Sequence, residues 1–295
     1  MKPITSVHVI STGSAEQHKE HRYGSRLPKT WWALRSRSWV EIPINVFVLE
    51  HRDGLVLFDA GLDPAIESDP NYISQAIGRF FLRKVFRIHI GPEDTLTKKL
   101  EALGYAVADV HKAIISHLHF DHIGCIGEIP QAELLVSRDE WRQLSKPHPE
   151  RDWILRERIE LPGAKWQPID FAPTDDPLLA PFGGCYDVMG DGSMILLPTP
   201  GHTPGSLSML VRTDEFAPLL LVADLTYEVD LLMRDQVPGV YGDKAQLKSS
   251  FAKVRELKKQ LPDLAVLASH DPAAAGTLRS ATVAPYVRPA SDIPR

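Results

Sequence analysis

Cysteine is scarce in this sequence: 295 residues contain two, Cys125 and Cys185. That is too few for a disulfide framework and fits a reducing compartment. Positive charge is not in excess either, since 33 Lys and Arg against 38 Asp and Glu leave a net charge of −5. Nucleic-acid binders usually carry a strong basic bias, so no nucleic-acid partner is expected. No apolar run approaches the ~18 residues needed to cross a bilayer, so no membrane partner is expected. Met1 to Ser6 is not followed by the apolar region of a secretory signal. Internal repeats, low-complexity tracts and a Pro/Gly/Ser-rich linker are also missing. So are a Gly-x-Ser-x-Gly elbow and a Gly-x-x-x-x-Gly-Lys loop, the usual signals of serine esterases and phosphate cradles. What remains is a cytoplasmic, globular chain with 43% hydrophobic residues for a core, read as one domain over 1–295.

Ligand-type side chains, by contrast, are dense. Ile115-Ser116-His117-Leu118-His119-Phe120-Asp121-His122 places three histidines and an aspartate directly after an apolar, strand-like run at 112–115. Imidazole nitrogen and carboxylate oxygen are ligands that zinc prefers. His117 and His119 alternate, so they point the same way. Asp121 and His122 follow at once and do not easily join them. The spacing therefore predicts two adjacent metal positions. A polar loop that merely happens to be rich in histidine is the bland alternative, and the density of ligand types speaks against it.

Along the chain, 6–10 reads as a first strand, followed by a polar, basic, irregular loop over 11–43 carrying Trp31, Trp32 and Trp39. The runs 44–50 and 55–58 read as a hairpin. A helical insertion is expected over 65–92: Ile73, Ile77, Phe80, Phe81 and Ile88 recur at helical spacing over 71–90 with Arg79, Arg83, Lys84 and Arg87 between them. That helix is open to three readings: plain packing, a lid, or a contact in a homodimer. Helices are expected at 95–103 and 244–260, and a capping box of Ser137 and Glu140 starts another through Leu144. The stretch 147–184 reads mostly as loop with a short helix at 153–159. Strands are expected at 133–136, 194–197, 207–211, 219–223 and 264–268. Two sheets packed face to face, helices outside and a site along one rim would account for this order.

Five strand ends carry polar candidates: Asp59, the 117–122 cluster, His202, Asp224 and His270. His202 sits in Pro200-Gly201-His202-Thr203-Pro204-Gly205, a stiff and specialised turn. It is a good third ligand beside His117 and His119, and His270 a good third beside Asp121 and His122. Asp224 has two oxygens and can bridge both positions, an arrangement known for hydrolytic zinc pairs. His8, His18, His21, His51, His89, His111 and His148 read as surface or packing residues, and Cys125 as a buried structural thiol.

Together, His-x-His-x-Asp-His at 117–122, the Gly-His-Thr-Pro-Gly turn at His202, Asp224 and His270 resemble the metallo-β-lactamase superfamily over most of the chain. The resemblance implies an α+β fold, a four-layer αββα sandwich, with two zinc ions (iron, manganese or cobalt being alternatives). It assigns His117, His119 and His202 to one ion, Asp121, His122 and His270 to the other, and Asp224 to both. Asp59 matches the superfamily's Asp-x-Gly, which orients ligands rather than binding metal. More narrowly, His-Leu-His-Phe-Asp-His, Tyr227 three residues after Asp224, and Ser269-His270-Asp271 are similar to the N-acyl-homoserine lactonases. That likeness implies opening of a lactone ring by a metal-bridging hydroxide, with Tyr227 at the carbonyl and Asp121 handling the proton. The substrate would be a small lactone with an apolar acyl chain, held by Trp31, Trp32, Phe120 and Tyr227. The alternatives are another hydrolase of this fold, acting on other esters, thioesters (glyoxalase II type), β-lactams or phosphodiesters, or a signal-binding protein with little turnover. A glyoxalase II would normally add a helical domain after His270, and too few residues follow it here.

Overall fold

The structure is a computed structural model that describes residues 2–74 and 76–283; the side chains of residues 76, 77, 79 and 81 lie outside that description. Among the described residues, twelve strands form two sheets. The first sheet holds β1 (Ile4–His18), β2 (Trp39–His51), β3 (Gly54–Phe58), β4 (Phe86–His89), β5 (Val110–Ile114), β6 (Glu133–Ser137) and β7 (Lys165–Ile169), in the order β4-β1-β2-β3-β5-β6-β7. The second holds β8 (Tyr186–Asp187), β9 (Met194–Pro198), β10 (Leu207–Val211), β11 (Leu219–Leu221) and β12 (Ala265–Leu267), in the order β12-β11-β10-β9-β8.

The inner strands β3, β9, β10 and β11 read as near-continuous apolar runs because both faces are covered. Alternation then sorts their side chains. Val56 and Phe58 of β3 join Met194 and Leu196 of β9 in the core between the sheets. Leu55 and Leu57 turn outward onto Leu96 and Leu100 of the helix Leu96–Ala102. Ile195 and Leu197 turn outward onto Leu247, Phe251, Val254 and Leu257 of the helix Lys244–Gln260. Helix, sheet, sheet, helix is the four-layer αββα sandwich expected from the motifs.

Three expectations need correction. Residues 11–43 are not a loop: β1 runs to His18 and pairs with both β2 and β4, and the helices Lys19–Tyr23 and Lys29–Arg35 precede β2. The polar residues of this stretch include strand positions such as Ser11, Ser14 and Glu16, which hydrophobicity does not reveal. The insertion 65–92 is not one long helix. It holds the helices Ala65–Ser68 and Ala76–Val85 and then β4, where Phe86 and Ile88 alternate with exposed Arg87 and His89 along β1. The expected inward placing of Ile77 and Phe81, and of Arg79 opposite them, lies outside the described residues. Within 147–184 the edge strand β7 was hidden by its charge and by Pro168, which only an edge tolerates readily.

Candidate metal centre

All seven expected ligands meet at one rim, at the C-terminal ends of β5, β9, β11 and β12. Parallel pairing aligns the ends of β3 and β5 in one sheet and of β11 and β12 in the other. These side chains form three overlapping groups of possible ligands: His117, His119 and His202; His117, His122 and Asp224; and Asp121, His122 and His270. His117 Nε2 and His202 Nε2 lie 3.0 and 3.1 Å from His119 Nδ1. On the other side His270 Nε2 lies 3.4 Å from Asp121 Oδ2, and His122 Nε2 3.8 Å from the same atom. Asp224 faces both groups. Its Oδ1 is 3.0 Å from His270 and 3.3 Å from His122, and its Oδ2 is 3.4 Å from His202.

Whether this donor set suits a metal is decided by the outer nitrogens. His122 Nδ1 donates to Asp59 Oδ2 at 2.8 Å and His270 Nδ1 to the Pro43 carbonyl at 2.9 Å. Both partners only accept, so each Nδ1 carries a proton and, on a neutral ring, each Nε2 turns a lone pair inward. Those lone pairs face carboxylate oxygens at 3.0 to 3.4 Å, which repel unless a cation or proton lies between. Among the described residues, buried His122 Nε2 and Asp224 Oδ1 have no hydrogen-bond partner. The imidazole and carboxylate set therefore fits a metal pair. Asp59 is held with φ 65° and also accepts from Ser116 N, Ser116 Oγ and Ser269 Oγ, so one buried carboxylate ties the 116–122 loop to the His270 loop. Cys125 is no ligand: it donates to the Leu62 carbonyl, and burial pushes its thiol pKa well up.

The two groups differ electrically. Burial, then His202, hold His119 down to about 3. Burial also lowers His270, but Asp224 and Asp121 outweigh it and raise the ring to about 10. Burial would raise Asp121, yet His122 and His270 bring it down to about 2. Tyr227 is buried and stacks on His270 at 5.5 Å between ring centres; burial, Asp224 and Asp121 keep it a neutral phenol.

Beside Tyr227 lies an aromatic wall. Phe120 packs with Phe86 and Trp153 in the cluster that holds Tyr227. His21, read from sequence as surface or packing, is buried edge-on against Tyr227 and also meets Phe86 and Trp32. Trp32 is 3% exposed, whereas Trp31 is 50% exposed beneath Arg35. The expected pairing of both tryptophans at the site is thus corrected: neighbours on a helix diverge by ~100°, so only one of two can face inward. Glu140 was also misread. Ser137 Oγ does accept from Glu140 N, but the Glu140 carboxylate, instead of closing a capping box, is fully buried and reaches the ligand loops.

Among the described residues no helix is long and apolar enough to cross a membrane. Residues 39–270 match the model of the metallo-beta-lactamase superfamily. The chain is 32% identical over 246 residues to the N-acyl homoserine lactonase AttM of Agrobacterium fabrum, covering 82% of this chain and 86% of that one. It superposes with a TM-score of 0.72 on an N-acyl homoserine lactone hydrolase with the product N-hexanoyl-L-homoserine at its catalytic metal centre, at 23% identity, covering 92% of this chain and 94% of that one. AidC, a dizinc quorum-quenching lactonase in complex with an N-hexanoyl-L-homoserine product, superposes with a TM-score of 0.62 at 18% identity, covering 93% and 92%. With its αββα layers and its metal-binding His/Asp cluster, this chain belongs to the metallo-β-lactamase superfamily.

Proposed function

We propose that this protein is a metal-dependent hydrolase that opens the lactone ring of N-acyl homoserine lactones. The observation that carries the reading is Tyr227 stacked on His270 at the edge of the His/Asp ligand cluster, in a chain 32% identical to a named lactonase. His117, His119 and His202 would hold one zinc ion and Asp121, His122 and His270 the other, with Asp224 between them. When bound, the pair supplies Lewis acidity and lowers the pKa of water to ~7.

The chain's own groups do the rest. The neutral Tyr227 hydroxyl donates to the lactone carbonyl oxygen as negative charge gathers there. Asp121 sits at the solvent edge of the cluster, its side chain 16% exposed, and is ionised. It takes a proton from the attacking water and returns it to the ring oxygen when the carbon–oxygen bond breaks, leaving an N-acyl homoserine. Phe120, Phe86, Trp153 and, beyond His21, Trp32 form an apolar wall for the acyl chain. Because the ligands come from both sheets, the whole described chain acts as one catalytic unit.

The test is a panel assay comparing homoserine lactones of several chain lengths with a thioester, a β-lactam and a phosphodiester. Lactones should give the highest kcat/KM. A preference for any other member would overturn the substrate, and two zinc equivalents without turnover of any member would favour a signal-binding role.

A further inference from the structure

The three-histidine group is split between sheets. His117 and His119 follow β5, while His202 lies 83 positions after His119 in the turn after β9. Glu140 stands between these two loops. Its Oε1 accepts the backbone N–H of Leu118, between the two histidines, at 3.0 Å. Its Oε2 accepts the Thr203 hydroxyl at 2.6 Å and the Gly205 N–H at 3.1 Å, just beyond His202. Ser137 grips the same turn from the other side, donating to the Gly205 carbonyl at 2.6 Å. The approach is close enough that a Cβ on Gly205 would fall 2.0 Å from Glu140 N, so only glycine fits. The carboxylate is fully buried and each oxygen faces only donors, one oxygen per loop.

We propose that Glu140 is the positioning residue of the three-histidine metal position: it holds the His117–His119 loop and the His202 turn at ligand spacing before metal arrives. This rests on the metal reading above. A ligand geometry set by outer hydrogen bonds is worth 10- to 100-fold in metal affinity where it has been tested. The backbone bond from Leu207 N to Ser116 O also joins the two loops, and Gly242 N, Asp243 N and Ser250 Oγ hold the carbonyls of residues 200–202 from the side of the helix Lys244–Gln260, but the Glu140 carboxylate is the side chain that accepts from both histidine loops. Glutamine has the shape of glutamate but must turn an amide NH2 toward the Leu118 N–H or toward the Thr203 and Gly205 donors, so it cannot serve both loops.

The experiment is zinc titration of metal-free, full-length protein against a chromophoric chelator, with cobalt(II) absorption as a second readout. Wild type should take two ions. Glu140→Gln should keep one near wild-type affinity and bind the other about tenfold or more weakly, with altered cobalt bands. Thr203→Val, which removes one donor and leaves the carboxylate, should shift the same ion by less, and it carries the test if the Glu140 variant does not fold. Two ions bound at wild-type affinity in both variants, whatever their melting temperatures, would overturn the proposal. A wild-type chain that takes up no zinc would instead overturn the metal reading itself.

Discussion

The two halves of the centre use the same ring chemistry in opposite electrical settings. His117, His119 and His202 crowd nitrogen against nitrogen, and burial drives their rings to the neutral form. His122 and His270 lie among carboxylates that outweigh burial and raise their pKa values, Asp59 first and then Asp224 and Asp121 for His122, and Asp224 and Asp121 for His270. One half is a set of lone pairs waiting for a cation; the other is an anionic pocket in which protons stand in for one. Asp224 is what makes them a single site, because each of its oxygens faces a different half.

The comparison can be broken most severely at that shared residue. Asp224→Asn should lower kcat by about 10²–10³-fold or more, the scale of removing a main charge stabiliser, and should reduce metal content by analysis of the purified protein. Full metal content with unchanged turnover would mean that the halves act separately. Tyr227→Phe should lower kcat about 10- to 100-fold, the loss of one hydrogen bond to a charged group, with both metals retained. Lost metal in that variant would move Tyr227 from substrate to scaffold, as its stacking on His270 allows. Trp32→Ala should weaken long-chain lactones about tenfold more than short ones, while Trp31→Ala should change both by less than about twofold. Equal losses across chain lengths would remove Trp32 from the acyl wall.

The smallest effect separates the halves by pH. In metal-free protein, His119 is lowered to about 3 from 6.5, so its contribution to stability is present above 6.5 and lost as pH falls from there toward 3. His270 is raised to about 10, so its contribution is present below 6.5 and lost as pH rises through 10. Chelated protein should therefore melt a few degrees lower toward both extremes, each ~1 kcal/mol costing about 2–4 °C. His119→Gln should make the acid limb shallower, His117, His202 and Asp121 keeping the rest of it, and leave the alkaline limb unchanged. A change in the alkaline limb of that variant would show that the halves are not electrically distinct.

These contrasts also explain what the sequence could reveal. The ligand set was legible because four of its members fall within six residues and the others follow apolar strands, each announced by a turn or an acid. Asp59 was legible through its Asp-x-Gly. Glu140 was not, because a carboxylate three residues after a serine gives the same local signal whether it caps its own helix or crosses to another loop. His21 and Phe86 come together beside Tyr227 through the pairing of β4 with β1, which polar, short-range patterning does not disclose. The β7 and β8 edges were missed for a related reason: edge strands tolerate charge and proline, so they lack the apolar run that marked the inner strands.

The C-terminal ends of strands from both sheets hold this centre, and that fixes an order of events in folding. His270 must travel back across 153 positions of chain to reach the cluster at His117. Closing so large a loop is slow and is rewarded only once both sheets are docked. The 117–122 cluster supplies four of the seven ligand side chains from one loop, but the complete set comes together only in the finished fold. Slow uptake of the second ion during refolding would thus time the closure of the sandwich itself.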